Sequence, residues 1–109
     1  DIPNEQKIRT NNLRELPKEF TLFQNYPNPF NPKTVIKFAL PVDATVTITI
    51  YDLNGKQVAE LINGLKEAGY YETIFDGTNL SSGLYLCKVL AQGNDGREFT
   101  HSYKMLMAK

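Results

Sequence analysis

An all-β fold, an antiparallel sandwich of about seven strands, is what this 109-residue sequence predicts, on three observations. Beyond residue 33, apolar residues recur at every second position, the period of a strand with one buried face. Pairs of Gly, Asn and Asp interrupt that pattern at near-regular spacing and supply turn chemistry between the strands. Once a charged leading stretch is set aside, roughly 85–90 residues remain, enough for one two-layer core and no second.

Composition narrows the function classes. Twelve basic and twelve acidic residues cancel, so the chain lacks the electrostatic footprint that nucleic acid or an anionic membrane would require. No apolar run reaches transmembrane length, and the first residues carry no signal-peptide pattern. A start at Asp1-Ile2-Pro3-Asn4, without Met, reads as a piece of a longer polypeptide whose secretory signal would lie with the parent. Residues 1–19 are mixed in charge and weakly periodic, and are expected to be a linker from that upstream parent, with residues 20–109 as the folded domain.

Taken in order, Phe20 to Phe23 is a short extended piece leading into Tyr26-Pro27-Asn28-Pro29-Phe30-Asn31-Pro32. Each Pro fixes its own φ and pushes the preceding residue toward extended geometry, which predicts a stiff, kinked ribbon. Phe23, Tyr26 and Phe30 are expected to hold it against the core, while Asn25, Asn28 and Asn31 satisfy nearby backbone. In the next strand, Thr34 to Leu40, one face carries Ile36, Phe38 and Leu40. After a turn at Pro41-Val42-Asp43, Val46, Ile48 and Ile50 face the core and Thr45, Thr47 and Thr49 face water. Asn54-Gly55 predicts a type I′ hairpin into Lys56 to Ile62. Asn63-Gly64 and Ala68-Gly69 bracket a loop, and the following strand, Tyr70 to Asp76, turns Tyr71, Thr73 and Phe75 to one side. A polar corner at residues 77–82 precedes the strand from Gly83 to Gln92; Gly93-Asn94-Asp95-Gly96 then turns the chain into the last strand, Arg97 to Ala108.

Gly83-Leu84-Tyr85-Leu86-Cys87 places a Tyr two residues before a Cys, just after a polar corner. This is the spacing of a tyrosine corner, in which the hydroxyl bonds back to upstream backbone, and it makes the predicted sandwich immunoglobulin-like. Cys87 is the only cysteine, so no intrachain disulfide is possible, and its apolar run predicts a small buried hydrophobe.

Catalysis is not expected. His101 is the only histidine and reads as a structural or surface group; no metal-ligand spacing surrounds it and no cofactor motif is present. Ser81-Ser82 lacks the context of a nucleophile. Asp43, Asp52, Asp76 and Asp95 sit at strand ends, where turns account for them, with a calcium site shared among loops as the weaker reading. Asn79-Leu80-Ser81 matches a glycosylation sequon that a polar corner also produces by chance.

The run from Pro17 to Pro32 resembles the opening motif of the type A C-terminal sorting domain of the type IX secretion system. The resemblance continues through Tyr51-Asp52-Leu53-Asn54-Gly55-Lys56 with Val58, Gly69-Tyr70-Tyr71, Phe75-Asp76 and Leu80-Ser81-Ser82-Gly83-Leu84-Tyr85, and closes on Lys104-Met105-Leu106-Met107-Ala108-Lys109. It implies a non-catalytic address label, immunoglobulin-like in fold and related to the flagellar hook-capping domain. Such labels sit on large secreted proteins of the Bacteroidetes and related bacteria. Implied partners are the covalently attached cargo, an outer-membrane translocon and a surface sortase. The implied location is the cell surface or medium, reached through the periplasm. Implied recognition residues are Gly83, Leu84, Tyr85, Lys104, Met105, Leu106, Met107 and Lys109. Two departures from the family pattern, Cys87 and Gly77, are expected to loosen the core. The alternative is a structural or carbohydrate-binding accessory module of a secreted hydrolase, with Tyr70 as a candidate sugar platform. A label read while folded needs a displayed feature, and an open C-terminal strand edge flanked by Lys104 and Lys109 is the expected one.

Overall fold

The computed structural model describes residues 5–8 and 16–109. It contains β1 (Glu5–Ile8), β2 (Thr21–Leu22), β3 (Lys33–Leu40), β4 (Ala44–Tyr51), β5 (Gln57–Lys66), β6 (Gly69–Asp76), β7 (Gly83–Gly93) and β8 (Glu98–Met107). All pairings between strands are antiparallel, in one sheet ordered β1-β6-β3-β2 and a second ordered β5-β4-β7-β8. The predicted sandwich is therefore present, and strands β2 to β8 answer to the expected ones.

Alternation builds the core. Ile36, Phe38 and Leu40 of β3 and Phe75 of β6 meet Val46, Ile48 and Ile50 of β4, Cys87 and Val89 of β7 and Met105 of β8. Burying a side chain of this size is worth about 1.5–3 kcal/mol relative to leaving it exposed. Phe38 stacks on Tyr71 across β3 and β6, with ring centroids 5.2 Å apart. Phe75 touches Phe30 and Tyr85 edge-on, at 5.8 and 6.2 Å, so one ring joins the proline ribbon to both sheets.

Four local expectations are corrected. The β4–β5 hairpin exists, but Gly55 alone has positive φ (80°), so the turn is not type I′. The Asp52 N–H donates to the Lys56 carbonyl and the Gly55 N–H to the Asp52 carbonyl, while the Asp52 carboxylate accepts the amides of Asn54 and Lys56. An Asp-anchored turn closed by one left-handed Gly does the work assigned to Asn54. Asn63-Gly64 is not a turn either: β5 runs on to Lys66, with Asn63 facing Thr47 and Gly64 facing Val46. Register irregularities near Thr49 and Tyr51 absorb the mismatch that this longer strand brings. Thr49, expected in water, is buried between Glu60 and Lys88, longer side chains that flank it in the sheet. Glu5–Ile8 lies in the expected linker yet pairs as a strand with Thr73 to Tyr70 of β6. The linker expectation at residues 1–4 and 9–15 lies outside the described residues.

The two departures expected to loosen the core do not leave gaps there. A Cβ on Gly77 would stand 2.5 Å from the Met107 sulfur, so the space is already filled. Cys87 is fully buried opposite Tyr103, whose enclosed hydroxyl lies against the Cys87 thiol. Burial raises the Cys87 pKa from the ordinary 9.0 to about 12. The unfolded chain therefore loses this proton before the folded one does. The group's contribution to stability is full below pH 9 and is lost as the pH climbs toward 12. At pH 8 an aromatic disulfide reagent should leave Cys87 unmodified in the native protein and react fully once denaturant is added. Rapid labelling without denaturant would contradict its burial.

Candidate recognition site

The two segments implied as recognition elements are adjacent strands. Gly83 pairs with Met107, Leu84 with Leu106, Tyr85 with Met105 and Leu86 with Lys104. The strand period then divides them. Tyr85, Met105 and Met107 point inward and are buried, whereas Leu84, Leu106 and Lys104 stand on the outer face. Three of the eight implied residues are thus core, Gly83 is half-buried, and Leu84, Lys104, Leu106 and Lys109 are exposed.

Tyr85 forms the corner that its spacing predicts, its hydroxyl donating to the Ser81 carbonyl at 2.5 Å. A second corner of the same span was not anticipated: the Tyr71 hydroxyl donates to the Glu67 carbonyl at 2.7 Å. Its sequence signal, a Tyr four residues after a polar loop position, was present but lay inside a strand pattern that already accounted for Tyr71.

Lys109 is exposed but tied down. Its ammonium donates to the Thr78 carbonyl at 2.7 Å and to the Leu80 carbonyl, and its backbone N–H donates to Ser82 Oγ at 3.0 Å. The last residue thereby laces the polar corner that also carries the Ser81 carbonyl. Asp76 opens that corner, and its carboxyl is held below its usual range by the hydroxyl and amide of Thr78, with Lys33 and Lys109 adding in the same direction.

The expected open edge at the C-terminus is closed. Phe30 makes a parallel bridge to Met107, its N–H donating to the Leu106 carbonyl and its carbonyl accepting from Ala108, both at 2.9 Å. Asn28 Oδ1 accepts the Leu106 N–H at 3.0 Å, and Gln24 Nε2 donates to the Lys104 carbonyl at 3.3 Å. The proline ribbon therefore occupies the β8 edge where strand addition was expected. Its other side is fixed to β3, with Tyr26 and Val35 exchanging both backbone hydrogen bonds. Underneath, buried Asn25 donates to Thr34 Oγ1, and Thr34 Oγ1 donates to the Pro27 carbonyl at 2.8 Å. Of the three ribbon aromatics only Phe30 enters the core, where its backbone bridges β8; Phe23 and Tyr26 are exposed, Tyr26 being held to Val35 through its backbone alone. Pro27, Asn28, Pro29 and Asn31 are exposed, and the Pro32 carbonyl accepts the Gly77 amide at 2.9 Å.

On the outer face near β7 and β8, Lys104 of the implied set shares one shallow depression with Tyr51, Asp52, Leu53, Leu86 and Lys88, which the implied set does not contain. Tyr70, the candidate sugar platform, is half-buried on the opposite sheet beside Phe23. Among the described residues, no group of three or more His, Cys, Asp or Glu could hold a metal ion. No helix there is long and apolar enough to cross a membrane.

The family model of the secretion system C-terminal sorting domain matches residues 24–99. No curated protein matches the chain. Among solved structures, CopC from Methylosinus trichosporium OB3b is similar at 20% sequence identity and a TM-score of 0.59, over 82% of this chain and 93% of that one. At that identity the likeness supports the sandwich fold alone.

Replacing Tyr85 by Phe leaves the Ser81 carbonyl short of a partner, and should cost about 1–3 kcal/mol of stability. Tyr71→Phe should cost a similar amount through Glu67. Urea titration of each variant checks this, and an unchanged midpoint for Tyr85→Phe would contradict a structural role for its hydroxyl.

Proposed function

Because the chain belongs to the secretion system C-terminal sorting domain family, and is a sorting signal of type IX secretion, we propose that it is a type A label read in the folded state. Residues 20–109 form the label in this reading, joined through the preceding residues to an upstream cargo. An outer-membrane translocon reads it and a surface sortase acts on it afterwards. The cargo passes through the periplasm and ends at the outer surface or in the medium. The label itself performs no catalysis.

One observation carries the folded-state reading: Leu84–Leu106 and Leu86–Lys104 are cross-strand pairs. Side chains about 20 residues apart in sequence become neighbours only when β7 and β8 are paired. In an unfolded tail the same residues would present no joint surface. Tyr85, Met105, Met107 and Lys109 then act by holding β7, β8 and the corner in place. Leu84, Leu106 and Lys104 are left to make contact. Gly83 starts β7 at the end of that corner.

The test is a reporter delivered to the periplasm with this chain at its C-terminus, in a bacterium that has the system. The unaltered fusion should appear at the surface or in the medium. Met105→Asp places a charge in the core and should trap the reporter inside the cell while leaving every outward residue unchanged. Normal export of a Met105→Asp fusion shown by circular dichroism to be unfolded would overturn the folded-label reading.

A further inference from the structure

We infer that the outer face of the β5-β4-β7-β8 sheet, at the end bearing Leu53, Leu84, Leu86 and Leu106, is a docking surface for an acidic protein partner. The partner surface would place an apolar side chain against these leucines and carboxylates against Lys88 and Lys104. The inference rests on the sorting-signal reading and specifies which face of the label is read.

The leucines come from three elements that the fold brings together. Leu84 and Leu106 are cross-strand partners, and Leu86 stands opposite Tyr51 on one side and Lys104 on the other. Leu53 projects from the β4–β5 loop and is 72% exposed, although an Asp-anchored turn would accept a polar residue at that position. Leu84 and Leu106 are 38% and 39% exposed. Clustered exposed leucines on one sheet face mark an interaction site rather than a solvated surface.

The charges on this face name the partner's chemistry. Lys88 faces Ser102 and Lys104 faces Leu86, so the two lysines are diagonal neighbours, a spacing of about 7–8 Å. Neither makes an ion pair with any described residue. Like charges held this close repel, and the nearby acids, Asp52 and Glu60, stand outside ion-pair distance of either lysine. Asp52 turns its carboxylate into its own loop, onto the amides of Asn54 and Lys56. Glu60 accepts hydrogen bonds from Asn63. An apolar patch bordered by two lysines without an ion-pair partner fits a protein surface whose hydrophobic centre is bordered by Asp or Glu. On the opposite sheet, Lys33 and Lys37 of β3 differ: they face Asp76 and Glu72 in register and so have acidic neighbours.

The same export fusion tests this, using K88E/K104E and, as a control for charge reversal away from this face, K18E/K37E. Both pairs reverse exposed lysines, and thermal unfolding of the isolated full chain establishes that each variant folds. The inference predicts at least a tenfold loss of surface reporter for K88E/K104E and less than a twofold change for K18E/K37E. A photoreactive benzoylphenylalanine at Leu53 should cross-link, in the exporting cell, to a protein segment containing Asp or Glu. The same probe at Ile74, on the opposite outer face, should not. Export of the unaltered and K88E/K104E fusions alike would overturn the docking surface while leaving the sorting reading standing. Cross-linking from Leu53 to lipid, or to a second copy of the chain, would overturn the partner class. Failure of the unaltered fusion to leave the cell would overturn both readings together.

Discussion

The hydrogen bonds between the proline ribbon and β8 are the constraint on which the rest of the domain depends. A terminal strand at a sheet edge is the easiest part of a sandwich to fray and the easiest to pair wrongly. Here Phe30, Asn28 and Gln24 take up the outward backbone groups of Leu106, Ala108 and Lys104. The ribbon can do this because it is neither strand nor free loop. Its prolines have no N–H to compete for pairing, and the residues between them supply donors and acceptors at the positions where β8 needs them. Tyr26 and Val35 tie the same ribbon to the other sheet, so one segment closes the sandwich along its open side.

This closure decides how the C-terminal residues can act. With its backbone edge occupied, β8 cannot be recognised there by strand addition, and recognition passes to side chains on the outer face. Alternation then sorts the segment with little freedom. Met105 and Met107 fill the core beside Phe30 and Gly77, while Lys104 and Leu106 face outward next to Leu86 and Leu84. Lys109 is drawn back onto the carbonyls of the polar corner. Order in the last six residues thus depends on residues 24–30, which lie about 78 positions earlier along the chain.

Much of the fold was legible because it follows from period and turn chemistry. Val46, Ile48 and Ile50, and Tyr71, Thr73 and Phe75, occupy the faces that alternation assigns to them. The tyrosine corner at Tyr85 followed from its spacing alone. What escaped was set by partners distant in sequence. Asn28 looks like a local turn residue, and only the fold reveals that its acceptor is spent on Leu106. Asn63-Gly64 carries a strong turn signal that pairing with Thr47 and Val46 overrides. Lys109 reads as a free terminal charge until the corner carbonyls are brought beneath it. The candidate site was half legible: the sequence marked the two segments, but inward and outward residues separated only once their shared register was known.

Residue-resolved amide hydrogen exchange of the full chain tests the central claim most directly. If the ribbon closes the β8 edge, the Leu106 and Ala108 amides should exchange as slowly as interior amides of β7, and Asn28→Ala should accelerate Leu106 by at least tenfold, well beyond its effect on β7. Leu106 and Ala108 exchanging at the rate of exposed backbone in the unaltered protein, with no response to Asn28→Ala, would show that the edge is open and would contradict the account.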